Sequence, residues 1–572
     1  MWLNSVENLN FIICVDKQDN CVNDSIDYFR QLQSPFNTLG IFPEMKVQKT
    51  SISLVSLGLL VCIISLSACN YKVGPDFKTP DSQVSSEWLE HGNVRLNQSK
   101  DFREWWSVFN DPILNQLIKM TYEQNLSLRA AGVRILNARA EVGIAIGDLY
   151  PQQQGADGEL SVLNNPFLKE LGNGVNKPLM YSKVGIMANW EIDFWGKYRR
   201  AIEAADAQLM GSVAEYDNLL VSLLADVAMN YIQMRTIEKK IQITNENIKY
   251  QSEGVRIANA KFLGGISAQR DVEQAKTILA STQAAIPPLN AQLRQTKNAL
   301  SLLLGIPPDK FENKLFIADR VAKIPVPPVQ VAVGIPTDLL RRRPDIRKAE
   351  MDALAQSARI GVVVANLYPA LSITGSFGFI SSNASGSSLS DMFNWGNQFY
   401  RFGPSVQWNV FNYGQITNQV RAQDARFEVG ILNYQNTVLT AQKEAEDALI
   451  AFLMAQNASE YLAESTDAAQ RALDISGIQY DQGMADFTTV LNAEQDLLMQ
   501  QDKFVENLGS VSMNLVSIYR ALGGGWEVRE GKDFVPEPII KAMKKRSNWG
   551  GLLENKPIPT KPPVNLFRLP EW

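Results

Sequence analysis

Histidine is almost absent from this chain: His91 is the only one among 572 residues. A histidine-based catalytic triad or a multi-histidine metal cluster has nothing to be built from. No Gly-x-x-x-x-Gly-Lys-Ser/Thr phosphate loop occurs, and nothing else argues for catalysis or a bound cofactor. Charge of one sign is lacking too. The 55 Lys and Arg stand against 60 Asp and Glu, a formal net charge of -5, so there is no basic footprint for nucleic acid. Past residue 66 no apolar run reaches the ~20 residues of a transmembrane helix. A chain that crosses a membrane without such a run does so as a β-barrel, whose sequence signal is much weaker.

Cysteine is scarce and oddly placed. The four are Cys14, Cys21, Cys62 and Cys69. Met45-Lys46 opens a secretory signal, with Lys46 and Lys49 as its positive region, Ile52 to Leu66 as its apolar region, and Leu66-Ser67-Ala68 before the cut. Leu-Ser-Ala-Cys resembles the bacterial lipobox, which implies an acylated Cys69 as the mature N-terminus. Residues 1–44 carry Asp16, Asp19, Asp24 and Asp27, unlike a signal's positive region. They read as a mis-called extension ahead of a true start at Met45, with the signal at 45–68. Processing leaves Cys69 alone, so neither an intrachain disulfide nor a cysteine metal site is expected.

What the chain does have is a copy of itself at an offset of 218 residues. Leu149-Tyr150-Pro151 recurs as Leu367-Tyr368-Pro369, Trp190 as Trp408, Gly196 as Gly414, Tyr216 as Tyr434, Gly265 as Gly483, and Leu304-Gly305 as Leu522-Gly523. A repeat this long, kept in register, means two copies of one supersecondary unit rather than a short-repeat solenoid. Each copy reads helix, strand, loop, strand, long helix, turn, helix.

The strands show period-two alternation. Val184, Ile186, Ala188, Trp190, Ile192 and Phe194 oppose Lys183, Gly185, Met187, Asn189, Glu191 and Asp193 over Ser182–Phe194. In the second copy Phe402, Val406, Trp408 and Val410 oppose Arg401, Ser405, Gln407 and Asn409 over Arg401–Phe411, and Leu371, Ile373, Phe377 and Phe379 oppose Ser372, Thr374 and Ser376. The counterpart near Ala156–Asn165 is the weakest. These lengths suit tilted transmembrane strands. Periodicity alone equally allows a soluble sheet with one buried face. Trp190 and Trp408, with Trp195, Tyr413 and Tyr400, suit interfacial aromatic girdles.

Between strands and turns, Gly196 to Lys261 lacks proline and carries an apolar seam through Val213, Tyr216, Leu220, Leu223 and Val227, spaced as in a coiled coil. Ile431, Tyr434, Val438, Ala441, Ala445, Ala448 and Phe452 repeat it. Such a helix, ~65 residues at 1.5 Å each, is ~100 Å long. Shorter helices are expected over Pro112–Gly147 and Ser267–Leu304, the latter kinked at Pro287-Pro288. Helix–turn–helix tips follow at Phe262 to Ser267 and Tyr480 to Ala485, where glycine permits a left-handed cap.

Four strands cannot close a barrel, and open edges in lipid leave backbone groups unpaired at several kcal/mol each. Three chains supply twelve strands, within the range of outer-membrane barrels. With helices of ~100 Å continuing from it, the object is a tube.

The chain resembles the lipoprotein branch of the TolC-like outer-membrane factors over Cys69 to about Trp526. The resemblance rests on Gly74-Pro75-Asp76-Phe77 and Pro80, on Trp105-Trp106 with Asp111-Pro112, and above all on Gly334-Ile335-Pro336-Thr337-Asp338-Leu339-Leu340-Arg341-Arg342-Arg343-Pro344-Asp345-Ile346. It implies a homotrimeric, α+β membrane protein without catalytic activity. A 12-stranded β-barrel in the outer membrane of a Gram-negative cell would continue into a periplasmic α-helical coiled-coil barrel. It also implies a periplasmic adaptor (membrane fusion) protein, an inner-membrane pump of the resistance-nodulation-division type, and contact with outer-membrane lipids through the Cys69 anchor.

The same resemblance makes Phe262, Gly265, Ser267, Tyr480 and Gly483 adaptor-docking residues; each turn also reads as plain helix termination. At the periplasmic gate the chain departs from the family pattern. Thr489 and Asn492 are neutral where many relatives carry carboxylates. Asp486, one turn earlier, would place three acids around a narrow axis and attract cations; it equally reads as a helix N-terminal residue favoured by the macrodipole. Asp271 stands similarly in the first copy. Arg341-Arg342-Arg343 reads as a structural salt-bridge cluster rather than a lipid or nucleic-acid patch.

The divisions that follow are 69–111 for an N-terminal periplasmic segment, 112–304 and 338–522 for the copies, 305–337 for an equatorial connector, and 523–572 for a proline-rich tail of expected extended chain. Two rival readings are a duct for type I protein secretion and a lipid-anchored periplasmic coiled-coil structural protein without a barrel.

Overall fold

A computed structural model describes residues 71–90, 92–93, 95–97, 102–163, 178–314, 323–328, 331–332, 342–383, 389–554, 563 and 565–569. The expected signal at 45–68 and Cys69 lie outside the described residues, as does Arg341. The elements in chain order are β1 (Leu96–Asn97), α1 (Pro112–Gln124), α2 (Leu126–Gly147), β2 (Gln153–Leu163), β3 (Leu179–Ile192), α3 (Lys197–Leu263), α4 (Gln269–Leu303) and α5 (Pro308–Lys314). These are followed by β4 (Val331–Ala332), α6 (Pro344–Ala365), β5 (Ala370–Ser382), β6 (Gln398–Gln407), α7 (Gln415–Asp481), α8 (Phe487–Ala521) and α9 (Glu537–Arg546).

The bounds of α2, α3 and α4 return in α6, α7 and α8 with 218 added to each: 126 and 147 become 344 and 365, 197 and 263 become 415 and 481, 269 and 303 become 487 and 521. The long helices α3 and α7 have 67 residues each, which is ~100 Å of helix. Their expected seams are interior: Tyr216, Leu220, Leu223 and Val227 are buried in α3, and Tyr434, Val438, Ala441, Ala445, Ala448 and Phe452 in α7. The largest core cluster gathers α1, α2, α3, α7 and α8 around Trp105, Trp106 and Phe109. There Trp105 stacks on Tyr519 at 5.3 Å between ring centroids.

The helix expected over Pro112–Gly147 is two. Asn125 breaks it: its side chain caps α2 by accepting from the Leu128 N–H at 2.9 Å and donates to the Leu303 carbonyl at 2.8 Å. A capping side chain turned on its own backbone competes with helix continuation. Conversely, α4 runs unbroken through Pro287 and Pro288, both on its exposed side.

The tail is a second correction. Instead of extended chain throughout, it forms a 3-10 turn at Trp526–Arg529, then α9, then another turn at Gly550–Leu553. Pro538 lies in the first turn of α9, where a missing N–H costs nothing, and Lys544, Lys545 and Arg546 occupy the last turn, favoured by the macrodipole. Met543 and Leu553 bury against Leu136 of α2 and Val535.

Ion pairs join α3, α6, α7 and the segment after α8. Asp217 of α3 is fully buried between Arg347 (2.6 Å) and Arg529, and both guanidinium groups lie over the Trp526 ring, at 4.6 and 5.5 Å. Arg343 pairs with Asp345 and Glu444 and donates to the Ala521 carbonyl, while Arg342 pairs with Glu527. The arginine run is a structural cluster at both described positions.

After Tyr71 the chain lies along α3, α6 and α7. Buried Arg200 donates to the carbonyls of Val73 and Gly74, each at 3.0 Å. A Cβ on Gly361 would come within 2.6 Å of the Val73 carbonyl and 2.7 Å of the Arg200 side chain, so α6 must carry glycine where the strap crosses.

Candidate functional site: the sheet and the helical tips

β2, β3, β5 and β6 form one antiparallel sheet in that order. The register puts Val184 beside Phe379, Ile186 beside Phe377, Ala188 beside Gly375, Trp190 beside Ile373, and Ile192 beside Leu371. β6 adds Tyr400, Phe402, Pro404 and Val406 in the same rows. Paired residues share a face, so three strands present one continuous apolar surface, and Ile186, Phe377, Tyr400, Phe402 and Val406 are exposed on it. The opposite face is mainly polar, with Met187, Ile380 and Phe399 among its residues. Lys183 pairs with Asp157 at 3.1 Å, and Thr374 donates to Asn189 at 3.1 Å. Among the described residues neither the outer edge of β2 nor that of β6 has a strand partner.

The expected strand through Phe411 ends at Gln407, so Trp408 and Val410 lie just past it. The backbone turns there: the Val410 N–H donates to the Trp408 carbonyl at 3.1 Å, and the Trp408 indole reaches back to the Leu367 carbonyl at 3.0 Å. Trp190 makes the equivalent bond to Leu149 at 3.1 Å. Trp195 donates to Pro369 at 2.8 Å and stacks on Tyr368. All three tryptophans therefore gather at the helical end of the sheet. At the far end Phe393 and Trp395 lean on Phe379, with centroids 5.7 and 6.0 Å away. Sequence reasoning missed that second aromatic group, because both residues sit in a loop of Gly, Ser and Asn without periodicity.

At the other end of the long helices the tips share one geometry. Gly265 and Gly483 each have φ 73°. The N–H groups of Gly265 and Ile266 donate to Phe262 and Lys261, and those of Gly483 and Met484 to Tyr480 and Gln479, at 2.8 to 3.1 Å. That is a Schellman cap at both positions. A Cβ on either glycine meets nothing within 4 Å, so the requirement is the left-handed dihedral alone. The caps leave Leu263, Ile266 and Met484 exposed at the extremity. Between the tips, Lys261 reaches Asp481 at 3.5 Å and lies 3.7 Å from the centre of the Tyr480 ring. Burial, with Asp271 and Asp481 nearby, pushes the Tyr480 phenol up. The Ser267 hydroxyl lies 3.5 Å from the Ala258 carbonyl.

The family model described as outer membrane efflux protein matches residues 117–306 and again 335–524. The chain belongs to the outer membrane efflux protein family. The two matches are offset by the same 218 residues, 117 to 335 and 306 to 524. The solvent efflux pump outer membrane protein SrpC of Pseudomonas putida is 27% identical over 485 residues, covering 82% of this chain and 98% of that protein. The cation efflux system protein CusC of Escherichia coli is 27% identical over 476 residues, covering 82% and 99%. The solved outer-membrane channel OprN is 29% identical, covers 80% of this chain and 99% of its own, and superposes with a TM-score of 0.73.

Within this family member the remaining sequence-predicted residues fall in the first turns beyond the tips. Asp486 caps α8: its carboxylate accepts from the Thr489 N–H at 3.0 Å and hydroxyl at 2.8 Å, and the Thr489 contacts hold its pKa below the usual carboxylate range. Thr489 is thus spent on the cap, whereas Asn492 is exposed. Asp271 sits in the first turn of α4 beside Arg270 at 3.3 Å. One group escaped the sequence reading altogether. The Glu494 carboxylate faces Gly254 across the α3–α8 contact, and burial pushes it up to about 7. Among the described residues no three His, Cys, Asp or Glu gather as a metal site.

Proposed function

We propose that this outer membrane efflux protein is the passive exit duct of a tripartite pump. Three copies close a 12-stranded barrel, and their long helices continue it into the periplasm. The observation that carries this reading is the sheet: apolar on one face, mainly polar on the other, and unpartnered at both edges among the described residues. In a bilayer each unpaired edge group costs several kcal/mol, and pairing β6 of one copy with β2 of the next removes the edges. The apolar face then meets lipid and the polar face lines water.

Cys69 carries the lipid anchor. Trp190 and Trp408 form the girdle at the periplasmic interface, where indoles favour the headgroup level, and Phe393 with Trp395 form the outer one. The tips around Phe262, Gly265, Ser267, Tyr480 and Gly483 dock the periplasmic adaptor, which joins the duct to an inner-membrane pump of the resistance-nodulation-division type. Asp271, Asp486, Thr489 and Asn492, in three copies, ring the periplasmic aperture. Its relatives include a solvent efflux pump protein and a cation efflux system protein, which supports a cargo of small molecules passed on by the pump.

The test is co-expression with the cognate adaptor and pump in an efflux-deficient Gram-negative host. Intracellular accumulation of a fluorescent pump substrate falls when all three are present and returns when this chain is omitted. Equal accumulation with and without it contradicts the proposal.

A further inference from the structure

We infer that the C-terminal segment Asn565–Leu569 is a second contact with the membrane, lying at the headgroup level of the periplasm-facing leaflet beside the N-terminal lipid. The inference rests on the duct reading for the membrane's position. It concerns residues beyond the family match, which ends at 524.

The tail is tied down at its start by Arg529 on Asp217 and in its middle by Met543 and Leu553. Its last described residues then reach the helical end of the sheet. Arg568 donates to the Asp206 carboxylate of α3 at 2.5 Å, and its carbonyl accepts from the Tyr150 hydroxyl at 2.8 Å. Tyr150 stands three residues before β2. Phe567 lies against the Arg199 guanidinium, 5.4 Å from ring centre to charge. The same guanidinium donates to the Tyr71 carbonyl and to the carbonyl of Asp193, the residue that follows β3. One buried arginine therefore holds Tyr71 and Phe567 at the level where the strands begin. Cys69 is two residues from Tyr71, at most ~7.6 Å between Cα atoms.

Beside the exposed Asn565, several outward side chains at this level are apolar. Leu566 is buried, but Phe567 is 51% exposed, Leu569 81% and Tyr71 57%. The segment is fixed by Arg568 and by its own backbone, and it leaves Phe567 and Leu569 exposed at the level where the strands carrying the apolar face begin. That level, the edge of the surface the duct reading gives to lipid, points to lipid as the occupant. Aromatic and aliphatic groups beside a paired arginine suit the headgroup–acyl boundary.

The test uses spin labels on the full chain in phosphatidylethanolamine–phosphatidylglycerol vesicles, where the lipid blocks Cys69. Leu569→Cys is compared with Ile186→Cys on the apolar face and Lys541→Cys on the exposed side of α9. Collision with oxygen, which partitions into bilayers, is read against collision with an aqueous nickel chelate. The expected oxygen-to-nickel ratio at 569 is several-fold above that at 541 and below that at 186. A ratio at 569 equal to that at 541, with 186 still in lipid, overturns the tail contact and leaves the duct standing. Low collision with both reagents at 569 overturns it in favour of coverage by a neighbouring copy. An aqueous ratio at 186 overturns the duct reading and this inference with it. Phe567→Cys repeats the comparison should the first label disturb the fold.

Discussion

The Trp190 indole donates to the Leu149 carbonyl at 3.1 Å, and 218 residues later Trp408 does the same to Leu367 at 3.0 Å. Each bond joins the end of one strand to the turn that starts another. Trp190→Phe keeps the ring and loses the donor, so a part-buried carbonyl goes unpaired at about 1–3 kcal/mol. Trp408→Phe costs less, because its indole is more exposed. Thermal unfolding of the detergent-purified protein separates the two.

Gly265 and Gly483 are required for φ 73° and not for space. Alanine at either is therefore expected to cost about 1 kcal/mol through the left-handed dihedral, and no more, since no neighbour is displaced. A larger loss on chemical denaturation would mean that a close contact is broken as well.

Ile266→Asp and Met484→Asp change exposed side chains, so stability is expected to move by less than about 0.5 kcal/mol. If the tips dock an adaptor, cross-linking to it and drug tolerance both fall in these variants. Unchanged cross-linking would confine the tips to helix termination.

Glu494 links stability to pH. Its folded pKa, raised to about 7, exceeds the unfolded value of 4.5, so the folded state holds the proton more tightly. That stabilisation is present below the unfolded pKa and is lost as pH rises through 7. Glu494→Gln is expected to match the parent at pH 5 and to be more stable at pH 8, by on the order of 1–2 kcal/mol after allowance for partial solvent access. Melting curves at the two pH values give the comparison.

Removing Arg529 leaves the fully buried Asp217 with Arg347 alone. Arg529→Ala is expected to cost about 3–5 kcal/mol and to expose the chain after Glu530 to limited proteolysis. A tail as resistant as the parent's would show that its later anchors, Met543, Leu553 and Arg568, hold it without Arg529.

Much of this architecture is legible in one sequence because the chain repeats itself. Leu149-Tyr150-Pro151 and its copy mark where helix gives way to strand, the alternation around Trp190 separates the two faces, and the tip glycines locate the turns. The rest depends on partners far away in the chain. Asn125 breaks a periodic helix because the Leu303 carbonyl is there to accept its amide. Asp217 is held by an arginine 312 residues later. Glu494 is unusual because it is buried where another helix, at Gly254, packs beside it. Trp395 joins an aromatic group through a loop with no pattern to read. Local periodicity reports which face a residue is on, but not what arrives opposite it.

Barrel closure by three copies is the central claim, and native mass spectrometry of the protein extracted in detergent from the outer membrane tests it most directly. The account predicts a trimer whose subunits begin at an acylated Cys69. A monomer with an unmodified N-terminus would contradict it.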